Sequence, residues 1–118
     1  MKSIEELDVF KLAHETTLEV YQITRAFPED EKFGLTTQMR RAAFSIPMNL
    51  AEGAGRLNTK EYRQFVGVAR GSASELRYQV TLARDLGYLE HEIHDELHAK
   101  VDRIGKMLTA LSKALSRR

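Results

Sequence analysis

The sequence predicts an all-α protein, an antiparallel up-down-up-down four-helix bundle folded as a single domain. Three observations predict it. Only two prolines occur in 118 residues, no strand-like alternation is sustained, and apolar residues recur three and four apart in four stretches separated by Gly, Pro or Asn. A chain of this length buries one core, so a single domain is expected.

In the first stretch, Val9, Leu12, Ala13, Thr16, Val20, Ile23 and Phe27 form an apolar stripe on a helix spanning about residues 5 to 26. It ends at Phe27-Pro28, because proline disfavours helical geometry in the residue before it. In the second, Leu35, Met39, Ala42, Ala43, Ile46, Leu50 and Ala51 share a face, with Thr36 or Thr37 as the cap and Gly53 and Gly55 as glycines suited to left-handed termination. Pro47 lies inside this helix. It removes one backbone donor and presses on the Ala43 carbonyl, a defect that costs about 3 kcal/mol, so a kink is expected near residues 43 to 47. Ser45 and Asn49 are placed to bond the freed backbone groups.

The third helix is expected over about residues 59 to 86, capped by Asn58 or Thr59, with its stripe running from Tyr62 through Phe65, Val66, Ala69, Ala73, Leu76, Val80 and Ala83 to Leu86. Gly87 is the stop signal, and Tyr88-Leu89 then folds apolar surface back onto the helix end. Gly71 with Ser72 is read as a close helix contact. The fourth helix, about residues 91 to 116, carries Ile93, Leu97, Val101, Ile104, Leu108, Leu111 and Leu115 in the heptad-like spacing of bundle packing. Short connections then make consecutive helices antiparallel. Phe10, Leu18, Phe44, Met48, Leu57 and Leu82 fall off these stripes, which suggests self-association if they adjoin.

No cysteine is present, which removes disulfides, thiolate metal sites and cysteine nucleophiles and suits a reducing compartment. The opening residues are polar and acidic, unlike a signal peptide, and no stretch has the apolar length of a membrane span. A cytoplasmic protein with no membrane contact is expected. The net charge is only +1, but it is unevenly distributed. Residues Met1 to Leu35 hold four basic and eight acidic side chains, whereas Thr36 to Arg84 hold eight basic and three acidic. The middle block is therefore the candidate polyanion surface.

Arg56, Arg63, Arg70, Arg77 and Arg84 recur every seventh residue, and the last four share a ridge along the third helix. With Lys60 near its start and Arg40 and Arg41 on the second helix, they form a surface that could track phosphates of RNA or DNA. The alternative is a solvated face paired with the acids of the first helix, in which each exposed pair contributes about 0–1 kcal/mol. His91, His94 and His98 with Glu90, Asp95 and Asp102 give only a weak metal pattern, and a pH-responsive face is the preferred reading. No nucleophile, base or phosphate loop stands at a recognisable spacing, so no enzyme, cofactor or metal is expected.

The motifs Phe27-Pro28, Phe33-Gly34-Leu35, Arg40-Arg41-Ala42-Ala43, Ser45-Ile46-Pro47, Asn49-Leu50-Ala51-Glu52-Gly53, Gly55-Arg56, Gly71-Ser72, Glu75-Leu76 and Leu86-Gly87-Tyr88 resemble one family. Over about residues 7 to 89 the chain looks like the four-helix-bundle proteins encoded by intervening sequences of bacterial 23S ribosomal RNA genes, a resemblance resting on the motifs together. The resemblance implies a ring-shaped homopentamer, with a fold shared by the accessory variability protein of diversity-generating retroelements. That relative binds nucleic acid and a reverse transcriptase through a basic surface. Carried over by position, this supports Arg40, Arg41, Arg56 and Arg70, while Lys60, Arg63, Arg77 and Arg84 rest on charge pattern alone. Members of the family often have an acid at the position of Arg77, and His14-Glu15-Thr16-Thr17 is unusually polar. Within a ring, Arg40, Arg41, Glu52 and Glu75 could instead pair as assembly residues. The expected function is a non-enzymatic oligomer that binds nucleic acid, structured RNA first, and the alternative is a protein-protein scaffold.

Overall fold

The four periodic stretches fold into α1 (Asp8–Thr24), α2 (Leu35–Ala54), α3 (Thr59–Asp85) and α4 (His91–Ser116). This computed structural model describes residues 3–118. Single-turn 3-10 helices at Ile4–Glu6 and Glu29–Glu31 precede α1 and α2. The first helix is shorter at both ends than its periodicity predicts. Leu7 is extended, with ψ of 134°, and separates the opening turn from α1. Beyond Thr24 the chain turns before Pro28, which has no amide hydrogen to continue a helix.

Each helix packs against its sequence neighbours, and α1 also meets α4. Cross-helix partners run in opposite order along consecutive helices, the register of antiparallel neighbours. Thr17 meets Ala43 and Thr24 meets Arg40 between α1 and α2. Arg63 meets Ser112, Arg77 meets His98 and Thr81 meets His94 between α3 and α4. Lys100 donates to Glu19 at 2.8 Å, tying α4 to α1. The core is filled by Val20, Met39, Ile46, Leu50, Val66, Leu76, Val80, Leu97, Val101, Ile104 and Leu108, all essentially without solvent contact. Burying a side chain of this size contributes roughly 1.5–3 kcal/mol.

α2 runs unbroken through Pro47, and the packing explains how. The Ala43 carbonyl, which would accept from residue 47 in an ordinary helix, accepts from the buried Thr17 hydroxyl of α1 at 3.1 Å. Thr17 shares that proton with the Ala13 carbonyl of its own helix at 2.8 Å. The unexpected polarity of α1 at this point thus answers a defect in α2. One turn on, the Asn49 amide donates to the Ser45 carbonyl and hydroxyl, and the Ser45 and Ser72 hydroxyls meet at 2.9 Å across α2 and α3.

Ser72 joins the helix contact as expected, but Gly71 does not. Gly71 is exposed, with nothing within 4 Å of where a Cβ would lie. The close approach is at Gly53, where a Cβ would stand 2.8 Å from the Phe65 Cβ and 3.1 Å from the Tyr62 carbonyl oxygen. Helix ends show similar corrections. Neither Thr36 nor Thr37 caps α2; the Leu35 amide donates to the Glu31 carboxylate at 3.1 Å, and Thr37 bonds back to the Lys32 carbonyl. Gly55 keeps a right-handed φ of −80°, because the chain continues in a turn and does not reverse through a left-handed residue. Gly87 does take the left-handed form, with φ of 83°. The Tyr88 amide then reaches the Ala83 carbonyl and the Gly87 amide reaches Arg84, the paired bonds of a Schellman termination that lets Leu89 bury. Asn58 caps α3 by accepting from the Glu61 amide at 2.8 Å. On α4, Ile93 is exposed and His94 buried, because His94 extends the alternating 3-4 spacing of Leu97, Val101, Ile104 and Leu108.

Candidate nucleic-acid interface

The arginines spaced by seven on α3 lie along its seam with α4. Seven residues are nearly two turns, so each arginine stands almost above the last, and the antiparallel partner presents its own heptad series of His91, His98, Gly105 and Ser112. Arg63 Nε donates to the Ser112 carbonyl at 3.2 Å. Arg77 Nε donates to His98 Nε2 at 3.2 Å and lies 3.7 Å from Asp102. Arg70, between them, lines a shallow groove of about 180 Å³ with Ser74, Arg77, Asp102, Gly105 and Lys106. Arg84 turns to Asp85 at 3.1 Å and to His94 at 3.4 Å. The ridge is therefore balanced by α4 and not by the acids of α1, since α1 and α3 occupy opposite corners of the bundle.

The remaining sequence-predicted residues are dispersed. Arg40 is half-buried, donates to the Thr24 hydroxyl at 2.8 Å and to the Tyr21 carbonyl, and lies over the Tyr21 ring at 4.7 Å. Arg41 is exposed. Glu52 pairs with Arg56 at 3.4 Å and Glu75 accepts from Gln79, so within the chain neither acid is joined to Arg40 or Arg41. Arg56 sits at the α2–α3 corner between Glu52 and Glu61 and stacks on Phe65 at 4.8 Å. It also lines a cavity of about 630 Å³ at that end of the bundle, with Ile4, Leu7, Leu57, Tyr62 and Arg118. Lys60 is exposed on the first turn of α3, one turn from Arg63. Lys106 escaped the sequence reading, and Asp102 entered it only as part of the weak metal pattern, although the matching heptad series on α4 signalled the face to which both belong.

The histidines form part of the same seam. His94 and His98 stack at 5.2 Å, and His94 Nδ1 lies 2.9 Å from Asp95. Accepting from Arg77 requires a neutral His98 ring with a lone pair on Nε2. Desolvation and then the Arg77 charge hold His98 below the ordinary imidazole value of 6.5. The His94 hydrogen bond holds the Asp95 carboxyl below its usual range. No cluster of His, Asp and Glu among the described residues is arranged to hold a metal ion, and no described helix is long and apolar enough to cross a membrane. The geometry supplies an exposed basic strip with partly committed guanidinium groups.

The 23S rRNA-intervening sequence protein family model matches residues 5–110. The chain belongs to that family. The match extends past the sequence motifs through most of α4, so it includes both sides of the arginine seam. No curated protein is similar in sequence. Among solved structures, a protein of unknown function from the S23 ribosomal protein family of Bacteroides thetaiotaomicron superposes with a TM-score of 0.80 at 20% identity. The alignment covers 89% of this chain and 98% of that one, and it establishes a shared fold.

Proposed function

We propose that this family member binds structured RNA through the α3–α4 seam and catalyses no reaction. The reading is carried by the alignment of Arg63, Arg70 and Arg77 on one exposed line, where Asp102 is the only carboxylate paired to them among the described residues. A seven-residue step advances roughly 10 Å along a helix, so the arginines offer a polyanion backbone a regular series of cations. Lys60 extends the line by one turn and Arg56 lies beyond it, while Arg41 adds charge on α2. Arg40 serves the fold, because its donors end on α1. A homopentamer, as the resemblance implies, would repeat the seam around a ring and gain affinity by multivalency.

A protein-protein scaffold is the second reading, favoured by the exposed side chains of Leu18, Met48, Leu57 and Val68. Anisotropy of a labelled RNA hairpin across a salt series separates the two. RNA binding predicts an affinity that falls steeply with salt, and a slope lowered by roughly 2–3 on replacing Arg63, Arg70 and Arg77 together by Ala. Unchanged binding by that variant removes the seam from the account. Light scattering tests the assembly, since a particle of 13.5 kDa would be a monomer and would overturn the pentamer.

A further inference from the structure

We infer that the groove beside Arg70 is a discrete phosphate subsite, in which the Asp102 carboxylate now stands where a phosphodiester of bound RNA would be held. The inference rests on the RNA-binding reading and assigns one point on that surface a built anion site.

The groove has a floor, a cationic wall and an open mouth. Ala73 and Val101 form the buried floor, and opposite Arg70 the neighbouring helix presents Gly105, above which nothing lies within 4 Å of a Cβ position. Arg70, Arg77 and Lys106 bring three positive charges to a space of about 180 Å³, against the single negative charge of Asp102. Asp102 contacts two of the three, Arg77 at 3.7 Å and Lys106 at 3.4 Å, whereas Arg70 has no ion pair with a described residue. Ser74 adds a hydroxyl, and the Thr109 hydroxyl donates to the Gly105 carbonyl. The surplus is two positive charges on a concave site. A tetrahedral oxyanion with several acceptors satisfies such a set better than one carboxylate, because guanidinium groups offer paired donors.

Both Asp102 pairs are exposed, so they are weak and exchangeable. Arg77 and Lys106 are thereby held in place while remaining able to trade Asp102 for phosphate. Asp102 acts as an intramolecular competitor that lowers affinity for RNA and orders the side chains that bind it.

Two probes test this, inorganic pyrophosphate and a labelled RNA hairpin, each with the full chain, D102N, K106Q and R70A. Pyrophosphate should shift the Gly105 amide resonance saturably, several-fold more tightly in D102N and several-fold more weakly in R70A and K106Q. RNA affinity should follow the same order, with the salt slope reduced by about one in R70A and in K106Q. A pyrophosphate response that does not saturate at Gly105, or D102N binding no more tightly than wild type, overturns the subsite. The broader reading fails separately: if the subsite responds to pyrophosphate as described but no variant retains RNA, the groove is an anion site of a protein that does not bind RNA. Unchanged thermal midpoints in the variants exclude a folding defect as the cause.

Discussion

The α1–α2 face and the α3–α4 seam both carry arginine, yet they hold it in opposite ways. Arg40 is half-buried, and its donors end on a threonine hydroxyl, a backbone carbonyl and an aromatic ring. Arg63, Arg70 and Arg77 lie exposed: Arg63 bonds the Ser112 carbonyl and Arg77 bonds His98 through one Nε each, Arg77 lies 3.7 Å from Asp102, and Arg70 has no ion pair with a described residue. A guanidinium whose partners belong to the fold is a structural tie; one whose partners are exchangeable is available to a ligand. The contrast extends to the interior of each face. Between α1 and α2, Thr17 repairs a missing backbone donor, whereas between α3 and α4 the buried His94 meets the Thr81 hydroxyl and the arginines keep to the exposed edge.

The largest test strikes the repaired backbone. Thr17→Val keeps the shape of the side chain but leaves the Ala43 carbonyl buried without that donor, and urea unfolding should show a loss of about 1–3 kcal/mol. Pro47→Ala restores an amide hydrogen that can reach the same carbonyl, so the double variant should recover much of the loss. Strictly additive effects in that cycle would break the proposed link between Thr17 and Pro47.

Next, the two arginine environments should separate cleanly. Arg40→Ala is expected to cost about 1–2 kcal/mol of stability by removing charge-assisted bonds and packing on Tyr21, with RNA affinity at low salt little changed. Arg70→Ala should change stability by less than about 0.5 kcal/mol while weakening RNA binding. The reverse pattern would exchange the roles of the two faces.

The smallest effect is a pH dependence at the loop that starts α2. The Leu35 amide and the Tyr88 hydroxyl bond the Glu31 carboxylate and hold it below its ordinary value of 4.5. The unfolded chain therefore takes up this proton first as pH falls. The Glu31 contribution is present above about pH 4.5 and is lost as pH falls through the lower folded value. Unfolding curves of wild type and Glu31→Gln should differ at neutral pH and converge in acid; a constant gap would sink this assignment.

Much of the architecture was legible because helical periodicity is a local property. Val20, Ile46, Leu76 and Leu108 lie where spacing alone puts them, and Gly87 terminates α3 as its lack of a Cβ allows. The misreadings share a physical cause, since each concerned a group whose partner is distant in sequence or outside the element considered. Thr36 and Thr37 have the chemistry of caps, but Glu31 reaches the first free amide. Gly71 resembles a packing glycine, yet Gly53 is the one pressed against α3.

The sequence by itself determined four amphipathic helices, their turns and a row of arginines on one face, because these follow from 3.6-residue geometry and local backbone preference. Tertiary structure decided that Thr17 answers Pro47, that Arg40 is a tie to α1, and that Arg70, Arg77 and Lys106 surround Asp102. Those outcomes depend on which helix lies beside which and in what register, and no spacing within one helix contains that information.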